Sequence, residues 1–177
     1  MPGMPAPVTQ LAPQTLGELD VRISVPTYDR ARLVPRIVHI GLGGFHRSHQ
    51  AAYLDDLCER GQTDWAITGA GVMSSDSRIF DALHAQDYLY CLLTSDGQSE
   101  RVRVVGSIVD YVLAVPTVEP LVAAVADPRT RIVSLTVTEG GYPVSDTGAY
   151  TVPAGASAPP AFSAIAQGLR RRRDHRH

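Results

Sequence analysis

The chain has 177 residues and 44% hydrophobic content, which is room for one domain of ordinary size with its own core. Its 16 basic and 18 acidic residues leave a formal charge of −2, without the basic stripe that nucleic-acid surfaces usually carry. Every basic residue is an arginine and none is a lysine, so no chemistry here can use a lysine amine.

Residues 1–35 hold Pro2, Pro5, Pro7, Pro13, Pro26 and Pro35 with little periodicity. They read as an extended N-terminal arm with a short helical turn around Thr15 to Leu19. Arg36 to Ile40 is short, β-branched and apolar, as a buried parallel strand is. The turn Gly41-Leu42-Gly43-Gly44 follows, and a helix is expected from about Arg47 to Arg60, with Ala51, Leu54 and Cys58 on one face and Gly61 at its end. Trp65 to Val72 reads as a second apolar strand. Ser74-Ser75-Asp76 supplies helix-start residues, and Ile79, Phe80 and Leu83 line the helix behind them. Strands are expected at Tyr88 to Thr94 and at Arg101 to Val112, separated by a turn at Ser95-Asp96-Gly97.

Val118, Leu121, Val122 and Val125 outline another helix, closed by Asp127-Pro128. Arg131 to Thr138 reads as a buried strand ending at Glu139-Gly140-Gly141-Tyr142. Alternating strands and helices of these lengths predict right-handed βαβ units and an α/β fold with a parallel sheet. Pro143 to Pro160 has linker composition, and Ala161 to Arg173 fits one helix with Phe162, Ile165 and Leu169 on its face. The arginine-rich end reads as a solvated helix terminus, or alternatively as a nucleic-acid or partner contact. The expected division is an arm at 1–35, a dinucleotide-binding domain at 36–142, and a linker, helix and tail at 143–177.

Cys58 and Cys91 lie far apart and form no CxxC pair, which speaks against a disulfide framework or zinc site and for a reducing cytoplasm. No run reaches the roughly 18 apolar residues of a membrane span. Residues 1–10 lack a basic region followed by an apolar stretch, so no secretory signal is expected.

Gly41-x-Gly43-Gly44 stands between a strand and a helix, the context that a dinucleotide fingerprint requires. The first glycine allows a tight turn, the second lets backbone approach a pyrophosphate, and the helix start behind them offers unpaired N–H groups. The third glycine of GxGxxG would fall at His46, so the match is incomplete, and a plain tight turn stays open. Asp76, at the end of the second strand, is placed to bind an adenosine ribose and to repel the extra phosphate of NADP; it also suits a helix N-cap. His46 and His49 are spaced to face one ligand, but a metal would need a third donor. Glu139 lies at the C-terminal end of the last strand, the sheet edge where ligands bind in open α/β folds, or is an ordinary loop residue.

Three segments in order, Ile37 to Gln50, Val105 to Tyr111 and Arg131 to Tyr142, resemble the long-chain mannitol dehydrogenase family. That family includes mannitol 2-dehydrogenase and the fructuronate and tagaturonate reductases. Ala85 to Tyr90 and Tyr28-Asp29-Arg30 also look like its N-terminal half, and the resemblance runs from about Thr15 to Asp174. It implies a Rossmann-like, doubly wound, mostly parallel sheet and a metal-independent oxidoreductase that interconverts a polyol and a ketose, or a sugar acid of the fructuronate/mannonate type. It also implies NAD, with NADP less favoured, held by Ile40, Gly41, Leu42, Gly43, Gly44, Phe45 and His46, with Asp76 at the ribose. Glu139 would line the substrate site and help move protons to solvent.

One departure bears on activity. The family's general base is a lysine, in a Lys-x4-Asn-x2-His pattern within a separate helical C-terminal domain, and this chain contains no lysine. The expectation is therefore the cofactor-binding part of a polyol dehydrogenase, a truncated chain with little activity alone and with apolar surface exposed. A polyol or ketose would be a partner only if the substrate-binding half were supplied, as by a second polypeptide. The other reading is a stand-alone nucleotide-binding or regulatory module without catalysis. Neither a nucleic acid nor a membrane is expected as a partner.

Overall fold

The chain runs through a 3-10 turn (Pro13–Glu18), a short strand β1 (Ile23–Ser24) and a second 3-10 turn (Arg30–Arg32) into β2 (Val34–Ile40). Helices α1 (Gly44–Ser48) and α2 (Gln50–Glu59) lead to β3 (Trp65–Gly71), a 3-10 turn (Ser74–Asp76) and α3 (Ser77–His84). A hairpin of β4 (Tyr90–Ser95) and β5 (Glu100–Val105) precedes β6 (Ile108–Leu113), α4 (Glu119–Ala126), β7 (Ile132–Leu135) and α5 (Pro160–Asp174). This computed structural model describes residues 10–136 and 160–174.

The main sheet has the order β6-β3-β2-β7 and is parallel throughout. Side chains alternate across a strand, so Ile37 enters one layer while Val38 and Ile40 enter the other. Ala51, Leu54 and Cys58 of α2 and Leu83 of α3 cover the first face. Leu121, Val122 and Val125 of α4, with Ala161 and Ala164 of α5, cover the second. Helices on both faces of a parallel sheet make the doubly wound α/β architecture expected from the alternation.

The structure departs from the sequence expectations in several places. The strand expected across Arg101 to Val112 is two strands in two sheets, since β5 joins β4 and β1 in a separate three-stranded sheet. The break falls at Gly106-Ser107, where side chains take the backbone bonds. Gly106 N–H donates to Asp55 Oδ1 at 2.8 Å, and Arg30 Nε donates to the Gly106 carbonyl at 3.0 Å. The described part of the N-terminal segment is packed on the domain: β1 pairs with β5, and Leu11 is buried against Leu89 and Val104.

The helix expected from Arg47 starts at Gly44 and is interrupted at His49. There Ser48 Oγ donates to the carbonyl of Gly44 and His49 Nδ1 contacts that of Phe45, so side chains compete for the helical acceptors. β7 is not a fully buried strand, because Ile132 is 43% exposed and the rest is half-buried. Part of the arginine-rich end docks: Arg171 forms a forked pair with Glu119, at 2.6 and 3.0 Å, and Arg172 donates to the carbonyls of Asp127 and Thr130. Residues 137–159, which include the expected linker except Pro160, the first residue of α5, and residues 175–177 lie outside the described residues.

Asp55 is 2% exposed and anchors the seam between the sheets by accepting the Tyr28 hydroxyl at 2.5 Å and the Gly106 amide. Burial holds its carboxyl above the ordinary carboxylate value, against the lowering effect of those two donors. Removing one donor leaves a buried acceptor short of a partner, so Tyr28→Phe is expected to cost about 1–3 kcal/mol. Thermal unfolding checks this, with a fall of roughly 2–4 °C per kcal/mol for a domain of this size.

Candidate cofactor site

Numbered by chain order, the strands of the main sheet run 3-2-1-4, and the order reverses between β2 and β7. A crevice forms at such a switch point, beyond the C-terminal ends of the strands. An open cleft of about 870 Å³ lies there, lined by Gly41, Leu42, Gly43, Gly44, Phe45, Arg47, Asp76, Ile79, Tyr111, Leu135 and Thr136.

Gly41 makes the turn with φ of +89°, and a Cβ on it would sit 2.6 Å from the Thr136 carbonyl oxygen. Its N–H donates to the Ala70 carbonyl at 2.9 Å. Its own carbonyl accepts from Gly43 N–H at 2.7 Å and from Thr136 Oγ1 at 2.8 Å. The turn is therefore bonded to both strands that flank β2. Leu42 is buried beneath it, and Phe45 stands out to solvent at 69% exposure, stacked on His49 at 4.4 Å.

Asp76 forms part of the cleft wall. Its Oδ2 accepts from the amides of Val72 and Met73 at 2.8 and 2.9 Å, which ties down the end of β3. It makes no side-chain cap bond to α3, so the expected N-cap role is not the one it plays. The close fit of this wall depends on Gly71, where a Cβ would lie 2.6 Å from both Asp76 Cβ and the Tyr111 hydroxyl oxygen. Burial and then the Asp76 charge push the Tyr111 phenol up to about 12.

Six of the sequence-named residues line the cleft: Gly41, Leu42, Gly43, Gly44, Phe45 and Asp76. Ile40 and His46 do not; each is 1% exposed and packed inside. His46 stacks on His39 of β2 with ring centroids 3.6 Å apart, while His49 is exposed. The two histidines therefore do not converge on one ligand. Glu139 lies outside the described residues.

Arg47, Ile79, Tyr111, Leu135 and Thr136 were not singled out from the sequence. Arg47 offered a signal, a positive charge two residues past the turn's Phe45. Its Nη1 donates to the Leu42 carbonyl at 2.6 Å, and its own carbonyl accepts the Tyr90 hydroxyl at 2.6 Å. It brings a cation to the wall of a cleft that also presents backbone amides, an arrangement suited to phosphates.

A 3-2-1-4 parallel sheet, helices on both faces and a glycine turn at the switch point define a Rossmann-type dinucleotide-binding domain. Residues 35–177 match the mannitol dehydrogenase Rossmann domain. The chain is 48% identical over 162 residues to a mannitol 2-dehydrogenase of Cereibacter sphaeroides, covering 86% of this chain and 34% of that protein. A mannitol 2-dehydrogenase of Neosartorya fischeri is 48% identical over 122 residues, 68% of this chain and 24% of its own length. Among solved structures, a Pseudomonas fluorescens mannitol 2-dehydrogenase in ternary complex with NAD and D-mannitol superposes with a TM-score of 0.86 at 40% identity. That match covers 94% of this chain and 36% of the other. A substrate-free D-sorbitol dehydrogenase gives 0.80 at 35% identity, covering 93% and 37%. The chain belongs to the mannitol dehydrogenase family and spans between about a quarter and a little over a third of the length of these relatives.

The stacked histidines make stability depend on pH. Burial first, then His39 and Arg47, lower the His46 imidazole to about 3; burial lowers His39 to about 4 against the opposing Gly41 carbonyl. In the unfolded chain both titrate near their ordinary value of 6.5. Between pH 6.5 and 4 the unfolded state therefore binds more protons, up to about two at pH 5, and stability falls as pH falls. Urea unfolding from pH 7.5 to 4.5 should show that decline, and His46→Phe should make it shallower by about one proton.

Proposed function

We propose that the switch-point cleft binds a nicotinamide dinucleotide, NAD in preference to NADP, as the cofactor half of a polyol dehydrogenase. The carrying observation is the Gly41–Gly44 turn, bonded to β3 and β7, with the Asp76 carboxylate on the cleft wall. The pyrophosphate lies against the backbone of the turn and near Arg47, and the adenosine ribose lies at Asp76. A carboxylate there accepts ribose hydroxyls and repels a 2′-phosphate.

The substrate is a polyol or ketose of the mannitol/fructose or fructuronate/mannonate type, and it requires a substrate-binding half beyond these 177 residues. Glu139 is the accessory group that moves protons between that substrate site and solvent. Hydride removal from an alcohol also needs a base for the hydroxyl proton, a contribution of about 10²–10⁴-fold. The family resemblance assigns that role to a lysine, and this sequence contains none. The 177-residue chain by itself is expected to bind NADH and to leave mannitol unoxidised on a time scale of minutes.

Titration of the chain with NADH, followed by nicotinamide fluorescence, tests the reading: saturable binding supports it, and its absence removes it. NADPH should bind about tenfold or more weakly, a gap of roughly 1.4 kcal/mol. Asp76→Asn keeps an oxygen for the Val72 and Met73 amides while removing the charge. It should bring the two affinities to within about threefold of each other. An unchanged gap would remove Asp76 from the ribose site.

A further inference from the structure

The interior side of the glycine turn carries a hydrogen-bond chain whose proton positions follow from the geometry. Thr136 Oγ1 lies 2.8 Å from the Gly41 carbonyl and 3.1 Å from His39 Nε2. A hydroxyl has one hydrogen, and the carbonyl is an acceptor, so that hydrogen is committed to Gly41. The contact with His39 is then donated by the ring, which fixes His39 as the Nε2–H tautomer. Its Nδ1 accepts from Ser134 Oγ at 2.8 Å. The chain therefore reads His39 to Thr136 to Gly41, from the middle strand through β7 and back to the turn.

His46 completes the arrangement. It occupies the place of the third glycine in a GxGxxG turn, where a glycine lets helix and strand approach closely. A flat ring lies there instead, 3.6 Å from the His39 ring and within 18° of parallel. Among the described residues neither of its nitrogens has a hydrogen-bond partner, so its contribution there comes from its face. That face holds the His39 ring in the orientation that aims Nε2–H at Thr136. With Arg47 beside it, the stack also favours the neutral rings that this pattern requires.

We infer that His39 is a positioning residue of the cofactor turn, fixing the Gly41 carbonyl through Thr136 while His46 clamps its ring. The inference rests on the dinucleotide reading of the cleft. Fixing that carbonyl fixes the peptide planes that follow it, and so the direction in which the backbone at Gly43 and Gly44 faces the cleft. His39 touches no ligand; its hydrogen bond toward the turn runs through Thr136.

Two measurements on the full chain test it. Long-range ¹⁵N–¹H spectra of the wild-type protein report the His39 tautomer without any variant. The Nε2–H form supports the chain of bonds, and the Nδ1–H form overturns it. Titration with NADH then compares His39→Phe, which keeps a stacking ring without nitrogens, with Thr136→Val. Each is expected to raise Kd about five- to tenfold, the worth of one well-placed hydrogen bond, and the double variant is expected to be no worse than either alone. His39→Gln, which restores an N–H near the Nε2 position, should recover most of the affinity, an effect that lost packing alone would not produce. Losses that multiply in the double variant, or wild-type Kd in folded single variants, overturn the inference. If the wild-type chain fails to bind NADH, it is the cofactor reading that fails, and the tautomer spectrum still decides the bond chain.

Discussion

The turn after β2 works because three backbones meet there at less than side-chain distance. Gly41 adopts a φ that L side chains avoid, donates to Ala70 of β3, and brings its α-carbon so near the Thr136 carbonyl that a methyl would overlap it. No other residue type satisfies both conditions. Once Gly41 is in place, the chain can leave the sheet at the switch point, bury Leu42 and present Gly43 and Gly44 to the cleft. The same economy of atoms recurs on the opposite wall, where Gly71 admits Asp76 and Tyr111. The cleft is thus a consequence of where the chain has no side chains, and its charged groups are arranged around those gaps.

Much of this was legible because it depends on local rules. Alternation of apolar strands with helices of period 3.6 gave the parallel sheet, and a glycine turn between strand and helix marked its ligand edge. What stayed hidden depends on contacts distant in sequence. The second sheet exists because Asp55 and Arg30, some 50 and 76 positions from Gly106, take over its backbone bonds, and nothing in the run Arg101 to Val112 announces that exchange. The break at His49 comes from side-chain competition that propensity does not encode. The docking of Arg171 and Arg172 against α4 and the loop after it needed the helix–helix geometry, so the run of charges read as a solvated helix end.

Within the site, legibility followed the same division. Glycines and a strand-end carboxylate could be named because their roles are set by backbone position. Tyr111, Leu135 and Thr136 reach the cleft only because β6 and β7 lie beside β3 and β2, and sheet order is not written in any one segment. The length relation bears on function in a similar way. A chain that spans about a quarter to a little over a third of its relatives holds the elements that shape a dinucleotide cleft.

His46 shows how a departure from a motif can be part of its function. As a sequence feature it weakened the fingerprint, since a glycine was expected in its place. In the structure it fills that place with a ring that stacks on His39, at the cost of two buried nitrogens without partners among the described residues. His39 is an equally unlikely choice for the middle of a buried parallel strand, where an aliphatic residue would pack without polar atoms. Each residue breaks a local rule, and each is made tolerable by the other and by Ser134 and Thr136. Such paired violations concentrate where a fold gives up stability for position. Here the cost falls as acid sensitivity, because both rings must stay neutral in the folded chain. The return is a directed N–H at the back of the turn. An aliphatic pair would pack as well and resist acid better, but it would leave the Gly41 carbonyl to be held by Gly43 and an unguided hydroxyl.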